Sequence, residues 1–391
     1  MSEWNRVPLE SLLKSGVSYG IVQPGSAEAT GVPIVRVKDV RNGRIDTSDP
    51  LRVSPDVELK YSRTRLQGGE VLLTLVGSTG QVAIASDRLA GWNVARAIGV
   101  LRPISDISPR WLQYFIESED AQQYIREHLN TTVQATLNLK DVRALPVPLP
   151  SDQEREGIVS VIGSLDDKIA VNERITATAD TLANALFRRA MLEYPAGFTE
   201  RPLSGTAEFV NGRAFTKGAT GTGRMVVRIA EINGGPSAST VYNDIDVPEQ
   251  HVAKPGDVLF AWSGSLTVAR WFRPEAVINQ HIFKCVPKHG YPQWLINHLV
   301  HRKIDEFRAI AADKATTMGH IQRKHLDEAV PVPDREVLQM LHAEIGPLWN
   351  RALLAEQENL KLGTIRDTLL PQVMSGRLRV KDAEKIVEDH T

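Results

Sequence analysis

Two stretches of the chain carry an apolar pattern with a period near 3.5. Within residues 146–191, apolar or small side chains fall at Ile158, Ile162, Leu165, Ile169, Thr176, Ala179, Ala183 and Leu186, with Asn172 filling the remaining seam position. Steps that alternate between four and three mark the seam of a coiled coil rather than the wider stripe of a surface helix. The preceding run Pro146-Val147-Pro148-Leu149-Pro150 cannot be helical, and Ser151 or Asp152 can cap the first turn with Glu154 behind it. The same arrangement follows later. Pro331-Val332-Pro333-Asp334 precedes a helix with Leu341, Ile345, Leu348, Ala352, Ala355, Asn359, Leu362 and Leu369 on its seam. Leu165 matches Leu348, Glu173 matches Glu356, Leu186 matches Leu369 and Met191 matches Met374, each pair 183 residues apart (348 − 165, 374 − 191), so the two helices align without a gap.

The segments before the helices are written in strand and turn patterns. Residues 33–40 alternate, and Arg41-Asn42-Gly43-Arg44 predicts a tight turn. Residues 70–76, 81–85 and 97–101 read as buried strands from their β-branched and leucine content, and residues 77–80, Gly-Ser-Thr-Gly, as a turn. Pro109-Arg110-Trp111 opens a helix predicted to reach about residue 129, residues 130–138 form a polar loop, and residues 139–144 a short helix or turn. Residues 196–333 repeat this grammar. Pro8-Leu9 answers to Pro202-Leu203, Val35-Arg36-Val37 to Val227-Arg228-Ile229, and Gly69-Glu70-Val71-Leu72 to Gly256-Asp257-Val258-Leu259. Gly77-Ser78 answers to Gly264-Ser265, Trp111-Leu112 to Trp294-Leu295, and Thr136-Leu137-Asn138 to His320-Ile321-Gln322. The separations drift between 183 and 194 (294 − 111, 202 − 8), so helices kept their length while loops did not. Six matches in one order, ending in an ungapped helix, imply an internal duplication.

The expected organisation is therefore a first globule at 1–150, a helix at 151–195, a second globule at 196–333, a helix at 334–378 and a tail at 379–391. If the two seams face each other, the helices lie antiparallel about a pseudo-two-fold axis. About 30 residues of helix span roughly 45 Å, and one turn of duplex DNA is about 34 Å.

Composition adds little direction. The 391 residues are 42% hydrophobic and 24% charged with a formal net charge of −1, which suits a soluble globular protein and does not announce a nucleic-acid binder, though it permits one basic face. The single Cys285 excludes an internal disulfide and a thiolate zinc cluster. The start, Met1-Ser2-Glu3-Trp4, is no signal peptide, and no apolar run reaches membrane-spanning length, so a cytoplasmic protein with no membrane partner is expected.

A search for catalytic chemistry finds no Gly-x-x-x-x-Gly-Lys-Ser/Thr loop, no strand-following Gly-x-Gly-x-x-Gly, no Asn-Pro-Pro-aromatic tetrapeptide and no His-Glu-x-x-His. The glycines at 218–223 read as a flexible loop, and Ser263-Gly264-Ser265 lacks the frame of a nucleophile elbow. His298 and His301, three apart on a helix, can be metal ligands or solvated side chains, and no metal site is assigned. Asp166-Asp167 reads as a solvated acidic face.

The run Pro-Val-Pro-Leu-Pro-x-x-x-Glu-Arg (146–155), then Ile-x-x-x-Ile-x-x-Leu-Asp-Asp-Lys-Ile (158–169) and Asn172-Glu173-Arg174, resembles the central helix of type I restriction-modification specificity subunits. Arg366-Asp367-Thr368-Leu369-Leu370-Pro371 and Ser375-Gly376-Arg377-Leu378 look like the same family's C-terminal helix, although the second helix carries Leu348-Trp349-Asn350-Arg351-Ala352 in place of Leu-Asp-Asp-Lys-Ile. The resemblance implies an α+β fold: two mixed α/β target-recognition domains separated by two long antiparallel coiled-coil helices, in a pseudo-two-fold repeat. It implies that each globule reads one half of a bipartite double-stranded DNA sequence and that the helices set the gap between halves. It also implies no catalysis in this chain and no cofactor on it. Two methyltransferase subunits would carry S-adenosylmethionine, and restriction–translocation subunits would join in the full enzyme.

Read from the residues, a DNA face needs Arg and Lys for phosphates and Arg, Lys, Asn, Gln, Ser or Thr for base edges. The candidates are Lys38, Ser78, Gln134, Asn138 and Lys140 in the first globule, and Arg228, Ser265, Lys314, Thr317, His320, Gln322 and Arg323 in the second. Arg36 and Arg228 have an alternative role, pairing with Asp39 and Glu231 to fix a turn. Asn172 and Asn359 either fix helix register as buried amides or flank the seam and bond water. Candidate partner-binding positions on the helices are Ile162, Leu165, Ile169, Leu348, Trp349 and Leu362, with Trp349 able instead to plug the scaffold. Two other classes stay open: a fusion enzyme with hidden catalysis, and a coiled-coil adaptor that binds protein rather than DNA.

Overall fold

The computed structural model describes residues 4–130, 134–313 and 319–389. It divides into two compact units, Met1–Asp167 with Gly363–Thr391, and Lys168–Leu362.

In the first unit, Asn5–Pro8 pairs antiparallel with Pro146–Leu149, placing Pro8 opposite Pro146. A two-stranded ribbon tolerates these prolines because each strand has an edge with no ladder to serve. The main sheet runs in the order Ser18–Tyr19, Ile98–Leu101, Val71–Thr74, Val82–Ile84. Every residue of Val71–Thr74 and Ile98–Leu101 is buried, which is why these strands read as continuous rather than alternating runs. A second sheet sets Val32–Val35 between Leu51–Val53, antiparallel, and Asn93–Val94, parallel. The strand expected over 33–40 stops at Val35, where a 3-10 turn, Val37–Asp39, is pinned by its own side chains. The predicted hairpin follows, with Val40 opposite Ile45 and Arg41 opposite Arg44. The helix expected from 109 to about 129 is two helices, Pro109–Glu117 and Glu119–Glu127. Ser118 between them is extended (φ −66°, ψ 153°), and its Oγ accepts the Ala121 N–H at 3.4 Å as an N-cap. Leu139–Ala144 is helical as predicted.

The second unit repeats the topology. Phe198–Pro202 pairs with Ala329–Pro333, and the main sheet runs Ala207–Asn211, Ile282–Pro287, Val258–Ala261, Thr267–Arg270. Its second sheet again holds one parallel pair, Arg224–Val227 with Ala276–Ile278. Where the first copy has Ser118, the second has His301, and the helix Gln293–Asp313 runs through unbroken.

The two seams form the long helices Asp152–Glu193 and Arg335–Met374. Ile158, Ile162, Leu165, Ile169, Asn172, Ala179, Leu341, Ile345, Ala352, Ala355, Leu362 and Leu369 are buried. Within the second unit the helical segments are antiparallel: Lys168 meets Glu358 at 3.3 Å, and Arg189 meets Glu344 at 3.2 Å. Asn172 Nδ2 donates to Glu358 Oε2 at 2.8 Å and Asn359 Oδ1 at 3.0 Å, so this asparagine is a buried register-fixing amide. In the first unit Arg366 meets Asp166 at 3.1 Å. The tail expected after residue 378 contains a helix, Val380–Glu388, with Ala383 buried; a Cβ on Gly157 would lie 2.8 Å from Val380, so this helix packs on the start of the first rod.

Candidate nucleic-acid interface

Each unit extends its main sheet by an edge made of three chain segments. In the first unit Leu75 N–H donates to Ala97 O at 2.7 Å, Leu137 N–H to Leu75 O at 2.8 Å, and Gly77 N–H to Ala135 O at 3.0 Å. Val76 bridges Thr136 antiparallel. In the second unit Trp262 N–H donates to His281 O at 3.2 Å, Ile321 N–H to Trp262 O at 3.1 Å, and Gly264 N–H to Gly319 O at 2.9 Å. Ser263 bridges His320 antiparallel. The backbone contacts correspond one for one, and the turn that leaves the middle segment is opened in both by a glycine with positive φ, Gly77 (78°) and Gly264 (67°).

Several predicted residues gather there. Ser78 and Gln134 are exposed, with Gln134 beside Gly77, and exposed Asn138 and Lys140 continue from the third segment. In the second unit Ser265 accepts Asn233 Nδ2 at 2.9 Å, which joins the 228–234 segment to the edge. His320 and Gln322 are exposed on the third segment. Arg323 is exposed but anchored, its Nη2 donating to Phe209 O at 3.3 Å and its guanidinium over the Phe283 ring. Lys38 lies on the 3-10 turn, exposed, 3.8 Å from Asp49. Lys314 and Thr317 lie outside the described residues.

Arg228 is a correction. Its Nε and Nη2 donate to Glu231 Oε2 and Oε1 at 3.0 and 2.6 Å, and Nη2 also reaches Ser239 O at 2.8 Å. Arg36 does the same with Asp39 at 2.9 and 3.0 Å. Arg36 pins the 3-10 turn Val37–Asp39 and Arg228 caps the short helix Ile229–Gly234; the geometry consumes the bidentate edge of the guanidinium that base readout needs. Burial pushes the Glu231 carboxyl up, but hydrogen bonds from the Arg228 side chain and backbone and from Thr240 outweigh it, and the group sits below its ordinary value.

The partner-binding positions need correction too. Ile162, Leu165, Ile169 and Leu362 are buried inside this chain, and Leu348 is half-buried. Half-buried Trp349 lies under the Arg270 guanidinium at 4.5 Å, so it plugs the scaffold. Of the acidic pair, Asp167 is exposed (63%) as expected for a solvated face, whereas Asp166 is half-buried. Asp166 accepts the Tyr114 hydroxyl at 2.7 Å and Arg366 Nη1 at 3.1 Å, and Asp167 pairs with Arg110. Arg110 crosses the helix at Gly163, where a Cβ would lie 2.4 Å from its Nη1. His298 packs against Phe187 at 4.0 Å, and burial lowers it to about 3. Among the described residues no group of three or more His, Cys, Asp or Glu is placed to hold a metal.

Sequence reading missed the first segment of each edge. It contributes exposed Arg96 in one unit and exposed Gln280 with His281 in the other. The Trp262 ring stands 5.4 Å from His281 and 6.4 Å from His320, so the second edge carries an aromatic–imidazole cluster where the first has Leu75, Ala97 and Thr136. Adjacent apolar strands hid these residues, and only sheet order brings 97 beside 75. Among the described residues no helix is long and apolar enough to cross a membrane.

Residues 1–180 match the type I restriction modification DNA specificity domain. The EcoBI type I restriction enzyme specificity subunit of Escherichia coli is 30% identical over 166 residues, 42% of this chain, and the chain spans 35% of that relative's length. The MjaIX specificity subunit of Methanocaldococcus jannaschii is 21% identical across 96% of this chain and 95% of its own length. The crystal structure of the type I restriction-modification S subunit from M. genitalium shares the fold, with a TM-score of 0.57 at 12% identity over 95% of this chain and 96% of that one. The chain is thus similar to type I restriction-modification specificity subunits, over residues 1–180 for the family model and over nearly its whole length for the M. jannaschii relative.

Proposed function

We propose that this chain is the non-catalytic, sequence-reading subunit of a cytoplasmic type I restriction-modification enzyme. Each globule reads one half of a bipartite duplex target through its three-segment edge, and the helices set the distance between halves. The observation that carries this reading is the edge itself. One backbone arrangement is built twice, with the same hydrogen bonds, yet with Leu75, Ala97, Thr136 and Asn138 in one copy and Trp262, His281, His320 and Gln322 in the other. A conserved packing requirement would keep those side chains alike; two readers of different half-sites need them to differ.

The helices offer a partner exposed apolar positions off the seam. Val171 (38% exposed), Leu182 (45%) and Leu354 (59%) are such positions, and Val171 and Leu354 are equivalent in the two repeats. Methyltransferase subunits that hold S-adenosylmethionine would dock on these positions, and restriction subunits would join through them. The test is a gel shift on genomic fragments with and without the methyltransferase partner, followed by methylation mapping of the host genome. A bipartite methylated motif that disappears when this chain is deleted is the expected result. Methylation by the chain alone, or binding only to protein, would overturn the reading.

A further inference from the structure

Two kinds of contact between the second globule and the helices stand out among the described residues. One is apolar: Phe187, Ala190, Val337, Leu341 and Ile345 of the helices share a core with Trp294, Leu295 and Leu299. The other is an ionic clip. Arg270, at the end of the last strand of the main sheet, donates Nε to Glu356 Oε2 at 2.7 Å and Nη2 to Glu356 Oε1 at 3.1 Å. Its Nη1 reaches Asp180 Oδ1 at 3.2 Å, and the guanidinium stacks on Trp349. One carboxylate comes from each helix, and the arginine side chain is 5% exposed. Burial works against its charge, but Glu356 and Asp180 outweigh that and keep it protonated.

A cavity of about 30 Å³ adjoins the clip, with Asp180, Ala183, Trp294, His298, Ile345 and Trp349 among its lining residues. Trp349 and Ala183 also pack against the apolar core, and a Cβ on Gly256 would lie 3.5 Å from Leu353, so the clip adds a directional, charged constraint beside these contacts at the far end. Asp180 lies seven residues from Phe187 and Glu356 eleven from Ile345, lever arms of about 10 and 16 Å at 1.5 Å per residue. Slack of about 2 Å at the clip would tilt the globule by roughly 10°. For a domain with a radius of gyration near 14 Å, that moves its far face by about 3 to 4 Å, close to one base-pair step of about 3.4 Å.

We propose that Arg270 is a positioning residue that fixes the angle of the second reader on the helices, and so restricts the spacer length the protein accepts. The inference rests on the bipartite reading above. The test uses the full chain with its methyltransferase partner, and duplex oligonucleotides carrying the mapped half-sites with the native spacer, one base pair fewer and one more. The wild type should prefer the native spacer by at least about tenfold, the factor expected for one mismatched base-pair position. Arg270→Met should reduce that preference to about threefold or less while affinity for non-specific DNA stays unchanged. Glu356→Gln, which keeps the side-chain shape, should give an intermediate ratio, and it carries the test if Arg270→Met does not fold. Wild-type spacer ratios in the folded variants would overturn this inference alone. A wild type with no spacer preference would overturn the bipartite reading itself.

Discussion

Removing the Arg228 side chain should damage the second globule rather than its DNA contacts. The Glu231 side chain is fully buried, and without the guanidinium its partners among the described residues are the Arg228 backbone N–H at 3.0 Å and the Thr240 hydroxyl at 3.0 Å. Breaking a buried ion pair from one side costs about 3–5 kcal/mol, because a charge is left uncompensated, whereas replacing both partners with apolar groups is often near neutral. Arg228→Ala should therefore lower the stability of this unit by about 3–5 kcal/mol. Arg228→Met with Glu231→Leu should recover most of that loss. The pH dependence has a definite sign. Glu231 titrates below its ordinary 4.5 in the folded protein, so the pair contributes stability that is fully present above the unfolded value and is lost as pH falls through the folded one. In Arg228→Ala burial prevails and raises the carboxyl, so the deficit should shrink on acidification. Urea unfolding at pH 7 and pH 4.5, followed through Trp262, Trp271 and Trp294, measures both. The double variant is the decisive one. If it is stable yet loses affinity for the second half-site alone, Arg228 reaches DNA after all and the helix-capping assignment is wrong.

Three further outcomes are expected. Gln322→Ala should weaken binding to duplexes carrying the second half-site by about 1–3 kcal/mol and leave the first unaffected, while Gln134→Ala does the reverse; equal loss on non-specific DNA in a filter-binding titration would assign these amides to phosphate. Asn172→Leu strips donors from Glu358 and Asn359 and should cost about 1–3 kcal/mol in urea unfolding, most of it restored by adding Asn359→Leu and Glu358→Gln, whereas equal stability of all these forms would mean the amides face water. Val171→Glu with Leu354→Glu should abolish co-purification of the methyltransferase subunits without changing the circular dichroism spectrum, and retained association would place the docking surface elsewhere.

The Leu165-Asp166-Asp167-Lys168-Ile169 run shows where sequence reasoning reaches its limit. Leu165 and Ile169 were legible as seam residues because burial follows helical period. Asp166 and Asp167 read as a solvated face, and Asp167 is indeed exposed, but each charge of the run also has a distant partner: Asp166 with Tyr114 and Arg366, Asp167 with Arg110, Lys168 with Glu358. Their partners lie dozens to hundreds of residues away, and no local pattern announces them. The same holds for Arg270, which reads as one more charged strand residue until Asp180 and Glu356 close on it.

The order of elements, the duplication and the two coiled-coil seams were written in the sequence alone, because each depends on periodicity and on proline, glycine and capping residues acting within a few positions. So was the correspondence of Thr136-Leu137-Asn138 with His320-Ile321-Gln322, which the paired bridges to Val76 and Ser263 match. Tertiary structure decided which residues share a surface. Sheet order, not sequence neighbourhood, sets Ala97 beside Leu75 and His281 beside Trp262, and buried partners divert Arg228, Trp349 and the seam leucines from the contacts their types suggest. Period is a local property of the chain, whereas pairing between distant charges and rings exists only once the chain has closed on itself.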